Sequence, residues 1–210
     1  MFPLSRRTLT LLASLAPALL LPATAVGAEE APDALVVRIS TEVIEAAKAD
    51  KSIQAGDVQK IIVLVDAKVM PSVNFKRMTA SAVGRFWRQA TPEQQQRLQD
   101  EFKTLLVRSY AGALRQVKDQ TVQLKPMRAK PEDEEVVVRT EIRGKGEPVQ
   151  LDYRLEKTPA GWRIYDVNVL GVWLVENYRS SFAQEIGTGG IDGLITKLAD
   201  LNSKAASGKG

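Results

Sequence analysis

The residues best placed for proton chemistry are two acids, Asp152 in "LDYRLE" and Asp166 in "WRIYDVNVL". A carboxyl buried in an apolar pocket, with its pKa raised, is the base that a ketosteroid-isomerase-like catalyst needs. Both acids, however, alternate away from the apolar positions of their segments, Val149, Leu151, Tyr153 and Leu155 for one and Val167 and Val169 for the other. No His and no Cys occur among the 210 residues, which removes Ser-His-Asp triads, thiolate nucleophiles and Cys/His zinc sites. No catalytic residue, metal or cofactor is therefore expected. Arg85 and Arg179 have planar forks that match a phosphate or a structural carboxylate equally well, so the sequence leaves both roles open.

The segments that must position these residues begin with helices. "DALVVRISTEVIEAAKAD" places Leu35, Val36, Ile39, Val43, Ile44 and Ala47 on one helical face. Asp57 is suited to cap a second helix running through "VQKIIVLVDAKV" towards Pro71. Thr91, Pro92 and Gln94 read as an N-cap, an N1 proline and a capping-box partner, so one helix ends near Gln89 and a long one starts at Thr91. Its stripe of Leu98, Phe102, Leu105, Leu106, Leu114 and Val117 faces a core.

The period then changes from helical to alternating. Val136, Val138 and Ile142 share a face, and "RGKGE" and "KTPAG" supply turns. Strands are expected near 121–130, 134–143, 148–157 and 161–170, forming an antiparallel meander with one face towards helices. In the last strand Tyr165, Val167 and Val169 share a side, while Trp162, Ile164 and Leu170 fall on the other. Two helices follow, from about Trp173 to Ile186 and from Gly190 to about Lys204. The class is α+β.

Residues 1–28 combine Arg6 and Arg7, an apolar run and small residues at Val26 and Ala28, the pattern of a cleaved export signal, with Sec and Tat export both open. Removing them lowers the formal charge from +4 to +2, and basic and acidic residues are interspersed, so nucleic acid is not an expected partner. Residues 29–202 are expected to form a single domain, a monomer, and 203–210 a flexible tail.

"RMTASAVGRFWRQATPEQQQRLQDEFKTLLVRSYAGAL", "WRIYDVNVLGVWLVENYRSSF" and "GIDGLITKL" together resemble the MlaC family of periplasmic phospholipid-binding proteins, also known as toluene-tolerance proteins. The resemblance rests on Gly84-Arg85-x-Trp87, Thr91-x-x-Gln94, Tyr110-Ala111, Tyr165-Asp166-Val167, Gly171-Val172 and Asn177-Tyr178-Arg179. Trp173 departs from it, because the family commonly has a small Ser after Gly-Val. The resemblance implies a curved sheet wrapped by helices, similar to the NTF2-like or cystatin-like cone, with an apolar cavity for lipid tails. It also implies a diacyl phospholipid ligand. The implied partners are an inner-membrane ABC transporter with a lipid-binding MCE component and an outer-membrane lipoprotein-porin complex.

On that footing Met70, Met78, Tyr153, Val167, Val169 and Trp173 are the expected lipid-lining residues, and Arg85 and Arg179 the expected head-group contacts. A hopanoid or other apolar cargo, and an interaction module with no cargo, are the competing readings. Each buried methylene is worth roughly 0.8 kcal/mol, so about 30 of them favour an apolar cavity over bare water by an upper limit on the order of 20 kcal/mol. A membrane shelters tails about as well, so exchange with a membrane is nearly balanced while escape through water is not.

Overall fold

The computed structural model describes residues 29–130 and 132–206. The expected export signal, residues 1–28, lies outside them.

Helix α1 (Pro32–Ala49) buries the stripe Leu35, Val36, Ile39, Ile44 and Ala47. Asp50 then caps a short helix, α2 (Lys51–Ala55), and Asp57 caps α3 (Val58–Lys68) by accepting from the backbone N–H groups of Gln59 and Lys60. After a 3-10 turn at Met70–Ser72 comes α4 (Phe75–Val83), capped by Asn74. The residues expected to carry this helix on to Gln89 instead form a 3-10 segment, Gly84–Gln89, because Gly84 adopts φ 65° and ends the α-helix. Helix α5 (Pro92–Arg115) starts as expected, with both hydrogen bonds of the Thr91/Gln94 capping box in place.

The sheet is an antiparallel meander in the order β1 (Thr121–Leu124), β2 (Glu135–Arg143), β3 (Val149–Thr158), β4 (Gly161–Val169), β5 (Val172–Trp173). It thus has one strand more than expected, and β1 stops at Leu124. The extra strand exists because Leu170 and Gly171 both take positive φ, 51° and 91°, and turn the chain so that Val172 pairs with Val169 and Trp173 with Asn168.

The two faces of β4 also differ from simple alternation. Arg154 pairs with Asp166 but Leu155 pairs with Ile164, so Tyr165 is the extra residue of a β-bulge. The bulge puts Ile164 and Trp162 on the same face as Val167 and Val169, and leaves Tyr165 under the Arg77 guanidinium, 3.6 Å from its ring centre, donating to Glu135. From Leu155 and Ile164 to Val149 and Val169 that face is apolar except for Thr140. A single-residue shift in register moves every later side chain across the sheet.

Helix α6 (Leu174–Ala206) is broken at Gly190, where φ is 69° and ψ −172°, at the expected boundary between two helices. The helix runs past Asn202 to Ala206, into the segment expected to be tail. Its buried residues Val175, Phe182, Ile186, Leu194, Ile195 and Leu198 join Met78, Leu98 and Phe102 of α4 and α5 in one core cluster. A second cluster ties α1, α2, α3 and α5 together, and a third packs Leu35, Val36 and Ile39 of α1 on Val136, Val138, Leu155 and Ile164 of the sheet.

Candidate functional site

The pairing register assembles the apolar face in rows. Leu155 stands beside Val136 and Ile164, Tyr153 beside Val138 and Val167, Leu151 beside Thr140 and Val169, and Val149 beside Ile142. Burial changes steadily along these rows. Val136, Leu155 and Ile164 are sealed under α1. Tyr153, Val167, Leu151 and Val169 keep part of their surface, and Val149 and Val172 are exposed at the far end. The face thus runs from packed core to an open rim without a polar interruption other than Thr140, whose hydroxyl is spent on the Leu151 carbonyl at 2.9 Å.

Tyr153 marks the inner end of this slope. Burial pushes its phenol pKa up, and its hydroxyl lies 3.4 Å from Ser40 Oγ of α1. Yet the residue retains accessible surface.

Helix α5 also leaves apolar side chains half-covered. It buries Leu98, Phe102, Val107 and Ala111, whereas Leu105 and Leu106 are half-buried and Tyr110 is exposed. Tyr178 of α6 is half-buried beside them, its ring centre 5.0 Å from that of Phe102. These half-covered apolar side chains, with those of the sheet, are where a long apolar ligand would find partners.

The expected lining residues divide accordingly. Tyr153, Val167 and Val169 are brought together, and Met70, in the 3-10 turn, is half-buried against the helical core. Met78 is not among them. It is 3% exposed and belongs to the packed cluster, because its position on α4 points at α5 and α6. Trp173 is not among them either. Pairing with Asn168 sets it on the polar face, where the Arg154 guanidinium sits 3.9 Å above its ring.

The run Val172 to Val175 is therefore split. Val172 reaches the rim, Trp173 crosses to the polar face, and Leu174 and Val175 enter the core. These four residues are one strand residue on each face followed by two core residues.

The acids stand on the polar face with Trp173. Asp166 is 1% exposed. It accepts from the backbone N–H groups of Val175 (3.1 Å) and Val167 (2.9 Å) and from Arg154 (3.1 Å). Burial pushes its pKa up, against the pull of those donors. Its carboxylate is committed to holding the first turn of α6 against β4, satisfying an N–H that the helix leaves open. Asp152 is likewise buried on that face, accepting from Gln150. Neither acid faces the apolar slope.

Residues 37–200 match the MlaC protein family. The chain belongs to that family. Among solved structures, the phospholipid-binding protein of Ralstonia solanacearum, determined in complex with a phospholipid, superposes with a TM-score of 0.80 at 49% identity, covering 83% of this chain and 98% of that one. The intermembrane phospholipid transport system binding protein MlaC of Haemophilus influenzae is 24% identical over 203 residues, 95% of this chain and 94% of its own length. The toluene tolerance protein ttg2D of Pseudomonas putida is 26% identical over 167 residues, 79% of this chain and 77% of its own. The family's α+β architecture with an antiparallel sheet is the one read from the sequence.

Within this MlaC fold, the arginines expected at a head group lie elsewhere. Arg85 and Arg179 share a groove of about 700 Å³ on the outer surface of α4 and α6, lined also by Ala80, Ser81, Gly84 and Ala183. Sequence spacing alone missed Leu105, Leu106, Leu151 and Tyr178 as candidates. All are apolar residues at core-like positions, and only their partial accessibility separates them from core.

Proposed function

We propose that this protein is a periplasmic carrier of phospholipid, holding acyl tails between the apolar face of the sheet and α5 and α6. The observation that supports it most is the graded slope from sealed Leu155, through half-open Tyr153 and Val167, to exposed Val172. A folded protein gains nothing from leaving a continuous apolar surface half-covered, since burying it would contribute roughly 25 cal/mol per Å². A ligand that comes and goes accounts for that surface.

The carrier receives lipid from one membrane complex and delivers it to another. The partners are an inner-membrane ABC transporter, through its MCE component, and an outer-membrane lipoprotein-porin complex. Among the described residues no helix is long and apolar enough to cross a membrane. Cargo must move by docking, because tails released into water would lose most of their sheltering energy. Catalysis has no place in this reading, as both buried acids serve the polar face.

Organic-solvent extraction of the protein purified from its native compartment, followed by mass spectrometry, tests the proposal. Close to stoichiometric diacyl phospholipid is the expected result. A polycyclic lipid would change the cargo, an empty protein would remove the carrier function, and turnover of added phospholipid would make the protein an enzyme.

A further inference from the structure

The groove between α4 and α6 is lined by three arginines as well as by small residues. Its floor is formed by small residues, Ala80, Ser81 and Gly84 on one side and Ala183 and Gly187 on the other. From Arg179 to Gly187 it follows α6 for about 12 Å at 1.5 Å per residue. Arg179 donates Nε to the Ser81 carbonyl at 3.2 Å, which fixes its fork and leaves its two terminal nitrogens without a carboxylate among the described residues. Arg85 stands at the same groove, over the Phe86 ring at 4.9 Å, and likewise has no carboxylate there. Arg77, the third arginine on the groove, is engaged by Glu135 and Glu156.

We infer that this groove docks a carboxylate-bearing segment of a protein partner. Guanidinium forks recognise carboxylates in pairs of parallel hydrogen bonds, and a fork already held by its Nε loses little freedom on doing so. The small side chains of the floor let a peptide backbone approach closely, which a flat bilayer surface cannot do. Nor is the groove the head-group end of the lipid site. The packed cluster containing Met78, Ala82, Val83, Phe182 and Ile186 lies beneath it, between the outer faces of α4 and α6 and the apolar slope.

The inference rests on the carrier reading, since a carrier that keeps tails out of water has to dock. Charges at such a surface set orientation and the rate of encounter, and like charges placed across it disfavour the complex.

The test is a photo-crosslinking residue placed at Ala183, in the native host, in the wild-type background and in the double variant Arg85→Glu, Arg179→Glu. Adducts are sequenced by mass spectrometry. The expected result is an adduct to a protein segment rich in Asp or Glu that falls at least about tenfold on charge reversal. A phospholipid adduct, a protein adduct indifferent to charge reversal, or no adduct above a probe at exposed Ser203 would each overturn the inference.

The lipid content of the same double variant separates the two proposals. Wild-type cargo with a lost adduct supports docking at this groove. Cargo lost with the arginines assigns them to the lipid site and overturns it. A wild-type protein that carries no lipid removes the carrier reading itself, whatever the adducts show.

Discussion

Residues of similar chemistry have opposite roles here according to which face they occupy, and substitutions separate the roles. Val169→Glu places a carboxylate on the half-open slope, where burial without a partner costs several kcal/mol unless it reaches water. Co-purified lipid is expected to be lost, while the melting temperature of the delipidated variant stays close to that of delipidated wild type. Met78→Ala, within the sealed cluster, is expected to lower stability by about 2–4 kcal/mol in denaturant unfolding, because it leaves a cavity. Trp173 offers a spectroscopic check. With Trp87 and Trp162 replaced by Phe, brominated acyl chains are expected to leave its emission nearly unchanged, since its ring lies against Arg154. Strong quenching would put the indole on the apolar side.

One backbone break and one set of ion pairs govern how the elements meet. At Gly190 the chain adopts φ 69° and ψ −172°, a conformation essentially confined to glycine, and a Cβ added there would meet nothing. Gly190→Ala therefore has only a backbone cost, expected at about 1–3 kcal/mol by denaturant unfolding. Arg77 joins α4 to the polar face of the sheet by ion pairs to Glu135 on β2 and Glu156 on β3. Its hydrogen bond holds the Glu135 carboxyl below the usual carboxylate value of 4.5. A depressed pKa gives stability that is present above 4.5 and lost as pH falls through the lower, folded-state value. Arg77→Gln is accordingly expected to show a shallower loss of melting temperature on acidification below pH 4.5 than wild type does.

Over the whole molecule, packing is complete where α4, α5 and the two halves of α6 meet, and incomplete at the half-buried Tyr153, Val167 and Val169 of the sheet and at Leu105, Leu106 and Tyr178. Bound lipid would fill the incomplete part, so loading is expected to raise the melting temperature, by mass action of a ligand that binds only the folded state. Delipidated protein titrated with phospholipid in a thermal melt checks this, and an unchanged transition would speak against a cargo in that space. Export bears on where such a cargo is met. The mature chain is expected to begin at Glu29, after the small residues Val26 and Ala28, and intact mass of the secreted protein decides it.

Much of this was legible in the chain because it depends on local rules. Capping chemistry at Asp57 and at Thr91 with Gln94 set helix starts, alternation in β2 and β3 set their apolar face, and Gly190 set a break. The family was legible too, from short motifs spread over the chain. Tertiary structure alone decided the face of each side chain after the bulge at Tyr165 and the tight turn at Leu170–Gly171, because each shifts a strand's phase by a geometry that the side-chain pattern does not encode. Those shifts took Trp173 off the apolar face and left Val172 at the rim, while Leu174 and Val175 went into the core. Tertiary structure likewise separated lining from core. Met78 and Leu106 are equally apolar, and only the packing of distant elements seals the first and leaves the second half-open.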